Sequence, residues 1–170
     1  MIQKDKSGMQ EINTLTECRD FRAVQVLITV RSVQSVPEEE DETVEFVTDG
    51  QLYKKDGVFF LDYEESELTG LEGVHTRVTV EKNRVLLDRS GSLESRMVFE
   101  KNQRHLALYE TPGGVFTVGT VAMSLSHELC EQGGRISLDY RLEIDNAYAS
   151  RNVVEITVMR MNQPKGGENI

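Results

Sequence analysis

Between Ala23 and Met161 apolar and polar side chains alternate in run after run, and a tight-turn signal ends almost every run. Alternation with a period of two puts successive side chains on opposite faces of an extended chain, so each run reads as a strand with one buried face. The clearest are Val24-Val26-Ile28-Val30, Val74-Thr76-Val78-Val80 and Ile136-Leu138-Tyr140-Leu142-Ile144. Lys55-Asp56-Gly57, Lys82-Asn83, Ser90-Gly91 and Thr111-Pro112-Gly113-Gly114 supply hairpin turns between such runs. No segment holds a long amphipathic helical pattern, and a parallel sheet needs crossover helices, which leaves antiparallel pairing. So many strands would expose two sheet edges unless the sheet closed on itself. The expected fold is all-β: an antiparallel up-and-down β-barrel of about eight to ten strands.

With 170 residues the chain suits one domain, large enough to bury a core without metal or disulfide staples. Residues 1–20 read as a flexible N-terminal arm, 21–161 as the barrel and 162–170 as a flexible tail. The 29 acidic against 19 basic side chains give a formal charge of −10, and no basic stripe stands out, so nucleic acid is not an expected partner. Residues Met1 to Asp20 lack an apolar stretch of signal-peptide length, and no segment approaches the roughly 18 apolar residues of a membrane span. Cys18 and Cys130 lie far apart without a paired motif, as reduced thiols would. The expectation is a soluble cytoplasmic protein with no membrane partner.

Within the barrel, Val44 to Lys55 reads as a strand bent or interrupted at Asp49-Gly50, and the acidic run Glu38 to Glu42 as a solvated loop. A turn spanning Asp145 to Asn152 leads into a last strand from Val153 to Met161. The segment Glu94 to Ala122 admits two registers. A two-residue loop at Lys101-Asn102 or Asn102-Gln103 would put Met97, Phe99, Leu106 and Leu108 on one face, with Arg96, Val98, His105, Ala107 and Tyr109 on the other. At Thr111-Pro112-Gly113-Gly114, a three-residue loop opposes Leu108 to Val118 and makes the first set the core; turn chemistry favours it. A two-residue loop opposes Tyr109 to Phe116 and lines the lumen with Arg96, His105, Tyr109 and Phe116, a mixed cationic and aromatic pocket.

Catalytic and metal chemistry find little support. His75, His105 and His127 are not at ligand spacing, so no metal or other cofactor is expected. Glu64 and Glu65 are strand neighbours pointing to opposite faces, unlike the paired acids of a glycosidase. Ser124, Ser126 and His127 lie at a strand end without a nucleophile elbow, and Gly113-Gly114 and Gly133-Gly134 read as hairpin turns. The best acid-base group on offer is His105, supported by Glu100 or Glu110. At the last hairpin, Asp145-Asn146 and Ser150-Arg151-Asn152 read as a hydrogen-bonded corner with Arg151 on Asp145; a functional version has Arg151 and Glu65 guarding one barrel mouth.

Several strings together resemble the bacterial YwiB-like family. They are Tyr63-Glu64-Glu65, Leu68-Thr69-Gly70-Leu71-Glu72-Gly73, Val98-Phe99-Glu100-Lys101 with Arg104-His105, Tyr109-Glu110-Thr111-Pro112, Leu142-Glu143-Ile144-Asp145-Asn146 and Ser150-Arg151-Asn152. The resemblance covers roughly Ala23 to Arg160. It implies a small calycin-like, lipocalin-like barrel in the cytoplasm of low-GC Gram-positive bacteria, a domain of unknown function with no catalytic residues to carry over. The functional expectation is a non-catalytic small-ligand-binding module. Its ligand site is expected among Arg96, His105, Tyr109, Phe116, Glu65 and Arg151. The alternative is a protein-interaction or homodimer-forming barrel with a filled core, and an enzyme ranks third.

Overall fold

The computed structural model describes residues 18–162, and ten antiparallel strands account for nearly all of them. They are β1 (Phe21–Ser35), β2 (Glu42–Lys55), β3 (Val58–Glu64), β4 (Val74–Val80), β5 (Arg84–Gly91), β6 (Ser95–Glu100), β7 (Arg104–Thr111), β8 (Gly114–Cys130), β9 (Gly133–Ile144) and β10 (Ala147–Arg160). One short 3-10 helix, Glu67–Thr69, lies between β3 and β4. The sheet order β6-β5-β4-β3-β2-β1-β10-β9-β8-β7 is an up-and-down meander with β10 paired back to β1. The β1–β2, β5–β6, β7–β8 and β9–β10 connections and the 3-10 helix gather at one end, here called the upper end. The turns at Asp56-Gly57 and Glu131-Gln132 lie at the lower end.

The barrel closes by overlap rather than by a tenth ladder. After the bridge Glu100 to Gln103, β6 and β7 separate, and β6 is held by β8 instead. Thr120 Oγ1 donates to the Val98 carbonyl at 2.7 Å, and the Asn102 amide to the Ala122 carbonyl at 3.0 Å. The two-residue turn expected at Lys101-Asn102 therefore forms, but the β6–β7 ladder expected beyond it does not. Met97 and Phe99 are buried in the interior, whereas Leu106 and Leu108 are 58% and 71% exposed, so the four do not share a face. The β7–β8 turn also follows the disfavoured register. Tyr109 opposes Phe116 and Leu108 opposes Thr117, with Pro112-Gly113 as a two-residue loop that Thr111 Oγ1 closes by donating to the Gly114 carbonyl at 3.0 Å.

Three further expectations are corrected. The β9–β10 turn is only Asp145-Asn146, both at left-handed φ (48° and 66°), and β10 begins at Ala147. Asp and Asn are the non-glycine residues best suited to such a turn. Ser124, Ser126 and His127 lie inside the 17-residue β8 rather than at its end, and Gly133-Gly134 already belong to β9. Asp20 is no part of a loose arm: its carboxylate accepts from the Asp56 and Gly57 amides at 2.7 and 3.1 Å, capping the β2–β3 turn. Residues 1–17 of the arm, and the tail after Asn162, lie outside the described residues.

The lower half of the barrel is packed solid. Val26, Ile28, Leu52, Leu61 and Ile136 point inward from four strands and are wholly enclosed. Each such side chain contributes roughly 1.5–3 kcal/mol of burial free energy. Gly50, expected to bend β2, instead sits within a continuous strand and opposes Val26. A Cβ there would lie 2.3 Å from the Asp62 carbonyl oxygen and 2.8 Å from Ile28 Cδ1, so glycine is what lets Ile28 fill the centre. Gly50→Ala should lower the unfolding free energy by about 1–3 kcal/mol in urea melts, as overpacking does, while an alanine at exposed Gly113 should change it by less than about 0.5 kcal/mol.

Candidate functional site

Along the barrel axis the inward side chains change character. On β3 they run Phe59, Leu61, Tyr63 and then Glu65 just past the strand; on β5, Val85, Leu87 and Arg89; on β9, Ile136, Leu138 and Tyr140. Each series is apolar toward the lower end and polar toward the upper. Where they turn polar the packing opens into a cavity of about 360 Å³. Its wall is mostly aliphatic and aromatic, including Phe46, Leu87, Phe99, Leu138 and Ile156, and its polar groups are Ser32, Tyr63, Glu65, Thr69, Arg89 and Tyr140. At ~30 Å³ per water, the space would hold about a dozen.

Glu65 is the anchor of the polar group, with a side chain only 2% exposed. Its Oε1 accepts from Thr76 Oγ1 at 2.7 Å and its Oε2 from Thr69 Oγ1 at 2.9 Å. The 3-10 helix makes the second bond available. Ser66 Oγ caps it by accepting from the Leu68 amide at 3.3 Å, and Gly70 ends it at φ 71°, which turns Thr69 back toward Glu65. A buried carboxylate needs such donors, because an unpaired charge in a low-dielectric interior is costly.

Arg89 faces Glu65 from β5, with Nε 3.9 Å from Oε1, near enough for charge attraction and too far for a hydrogen bond. Its Nε is buried and has no hydrogen-bond partner. Tyr63 and Tyr140 complete the group. Burial holds the Tyr63 phenol far above the ordinary range and the Glu65 charge adds to this, while Arg89 opposes it. Burial also pushes Tyr140 up to about 12, against the pull of Arg89 and with a contribution from Tyr109. Both phenols are thus hydroxyl donors at neutral pH.

The six residues expected at the site do not converge. Glu65 lies in the lumen; Arg151 does not guard a mouth with it, for it sits on the outer face and donates to Asp139 at 3.0 and 2.6 Å. Nor does Arg151 meet Asp145, whose carboxylate accepts from the Thr117 amide at 3.0 Å. Arg96 also points outward, paired with Asp88. His105 Nε2 lies 3.0 Å from Glu100 Oε2, and Arg96 and His105 line a separate crevice of about 300 Å³ between β6 and β7. The pocket expected from Arg96, His105, Tyr109 and Phe116 therefore does not form in the lumen. Tyr109 reaches inward and donates to Met97 Sδ at 3.5 Å, while Phe116 stays more than a third exposed. The overlap at β6 causes this: the inward face of β7 covers β6 instead of the lumen.

Sequence reasoning missed Arg89, Tyr63, Tyr140 and the two threonines. The signal was parity: an arginine in step with Val85 and Leu87 must point where they point. Among the described residues no group of three or more His, Cys, Asp or Glu side chains is placed to hold a metal. No helix there is long and apolar enough to cross a membrane.

Residues 28–156 match the family described as a domain of unknown function, DUF1934. The chain is a member of the DUF1934 family. The match runs from within β1 to within β10 and contains the whole Glu65–Arg89 group. The chain is also 31% identical over 127 residues to the uncharacterized beta-barrel protein YwiB of Bacillus subtilis (strain 168), covering 74% of this chain and 88% of that protein. The crystal structure of the ywiB protein from Bacillus subtilis superimposes with a TM-score of 0.74 at 26% identity, over 84% of this chain and 96% of that one. The DUF1934 chain is therefore an antiparallel β-barrel related to a bacterial barrel of known structure.

Burial of Tyr140 has a measurable consequence. Its folded pKa lies above the ordinary phenol value near 10, so its contribution to stability is complete below pH ~10 and is lost as pH rises toward the folded value of about 12. The urea midpoint should fall over that interval, and Tyr140→Phe should flatten the fall by on the order of 2 kcal/mol, leaving a residual slope from Tyr63.

Proposed function

We propose that this barrel is a cytoplasmic, non-catalytic binding module that holds one small, partly apolar molecule in the upper lumen. The observation that carries this is the division of the interior into a close-packed lower half and a 360 Å³ cavity above it, walled by apolar side chains with a few converging polar groups. A site of that size and make-up falls at the lower end of the roughly 300–1,000 Å³ range of small-molecule pockets. Free Cys18 and Cys130 suit a reducing compartment.

Nile red, a neutral apolar dye, tests the reading. It should bind with one-to-one stoichiometry and a blue-shifted emission. Val154→Phe projects a ring into the cavity and should weaken the dye at least tenfold, while the unfolding free energy changes by less than about 1.5 kcal/mol. If the dye ignores the protein and the variant costs several kcal/mol, the lumen is filled and the reading is wrong. Native mass spectrometry of protein from a Gram-positive host would then identify any natural occupant.

A second reading, an interaction barrel, is favoured by one feature. The outer face of the β7 edge carries Leu106 and Leu108 with Val115 beside them, all more than half exposed. β7 pairs only with β8 along its length, and an apolar, unpaired edge is a docking surface for another strand. Sedimentation velocity over a hundredfold concentration range should reveal a dimer that Leu108→Lys abolishes; a monomer throughout removes the homodimer.

A further inference from the structure

Resting on the lumen-binding reading, we infer that the ligand is an amphipathic acid, whose carboxylate is bound by Arg89 and whose apolar body lies against the aliphatic and aromatic wall. The balance of donors and acceptors at the upper end carries the inference. Glu65 brings the acceptor oxygens, and each already takes a hydroxyl proton, from Thr76 at 2.7 Å and Thr69 at 2.9 Å. Arg89 brings five N–H donors on a planar fork. Its side chain is four-fifths buried, its one ion-pair contact among the described residues is Glu65 Oε1 at 3.9 Å, and its buried Nε has no partner. Tyr63 and Tyr140 line the same space and, being protonated, add hydroxyl donors. The pocket thus has donors in surplus and its acceptors already in use.

Arg89 lines the cavity with a guanidinium that has no hydrogen-bond acceptor among the described residues, and an unmet buried donor is costly, so the missing component is an acceptor. A carboxylate suits best: it offers two oxygens in the geometry of the guanidinium fork, and charge-assisted bonds of this kind are roughly twice as strong as neutral ones. A cation is opposed by Arg89, and each Glu65 oxygen already accepts one hydroxyl proton. An alcohol offers one oxygen where two are wanted. Away from the polar group, Phe46, Leu87, Phe99, Leu138 and Ile156 offer only apolar surface, which calls for a hydrocarbon or aromatic body. Glu65 tempers the affinity, since its negative charge lies beside the one the ligand brings. Its role is to hold Arg89 in a buried position, so it orients the binding group and opposes the anion at the same time.

Octanoate, octanol and octylammonium share a chain and differ in the head, and titration calorimetry on the full-length protein compares them. Octanoate should bind at least tenfold tighter than octanol, with octylammonium weakest. In Arg89→Met the ratio of octanoate to octanol affinity should fall to about one. In Glu65→Gln, which removes the opposing charge and keeps the shape, octanoate should tighten several-fold and octanol should not; this variant reads the same electrostatics if Arg89→Met does not fold. Octanol equal to octanoate, or octylammonium tightest, overturns the acid while leaving lumen binding intact. Octanoate failing where Nile red binds does the same. If Nile red fails as well, the lumen reading itself has failed.

Discussion

Strand parity governs this molecule. Ten strands wrap one interior, and whether a side chain packs, lines the cavity or meets water depends on whether its position is odd or even within its strand. Val26, Ile28 and Leu52 fill the lower barrel because they fall in the inward set. Arg89 is in the lumen for the same reason as Val85 and Leu87, four and two residues earlier. A slip of one residue that flipped β3 and β5 would send Glu65 and Arg89 to the surface and bring Asp62, Glu64 and Asp88 inside. The long, nearly unbroken registers from β2 through β1, β10 and β9 to β8 hold that parity fixed.

Against that frame the many ion pairs divide into two kinds. Arg151 with Asp139, Arg96 with Asp88 and Arg84 with Glu81 decorate the outer face, and each of these arginines is about half or more exposed. Pairs of this kind contribute about 0–1 kcal/mol and are screened by salt. Glu65 and Arg89 differ because water reaches them poorly. A carboxylate 2% exposed and a guanidinium four-fifths buried carry a desolvation cost that their 3.9 Å separation only partly offsets. The hydroxyls of Thr69 and Thr76 supply the rest for Glu65, and nothing in the described structure supplies it for the Nε of Arg89. A packed apolar group would be the more stable choice at this position, so the arrangement is not explained by folding stability.

The fold was legible in the sequence because alternation and turn chemistry are local. The strand count, the meander and the inward sets of β1, β4 and β9 all follow from residues a few positions apart. Closure itself was expected, but its manner was not legible. Lys101-Asn102 has the chemistry of a hairpin, with Asn102 at φ 59°, and the bridge Glu100 to Gln103 does form, but Lys101 then bridges Ala122, twenty-one residues away. That long-range contact turns β6 under β7, which moves Arg96 and His105 out of the lumen. The β7–β8 turn misled for a local reason: Gly114 suits the bulge of a three-residue loop, yet it starts β8 at φ 132° with Thr111 bonded to its carbonyl. The site was half legible. Glu65 stands out as an acid on the buried side of a strand end, but its partner required reading Arg89 as a lumen residue.

The two halves of the interior answer opposite demands. A barrel about eight to ten strands around has a lumen wide enough to be filled by its own side chains or to leave a cavity the size of one small molecule, and this chain is filled at one height and open at another. The lower half uses Ile28, Leu52, Leu61 and Ile136 to close the space, with Gly50 removing the one Cβ that would prevent it. The upper half leaves 360 Å³ open and gathers its ionisable groups there. Changes to the cavity wall can therefore alter the shape of the open space at small cost to the fold, whereas changes below it act on stability. The capped 3-10 helix at the rim links the two, since Thr69 holds Glu65, and Glu65 holds Arg89, only while Ser66 and Gly70 keep that single turn in place. The hold on the buried carboxylate thus rests on a loop outside the sheet, which can vary without disturbing the strand parity that builds the barrel.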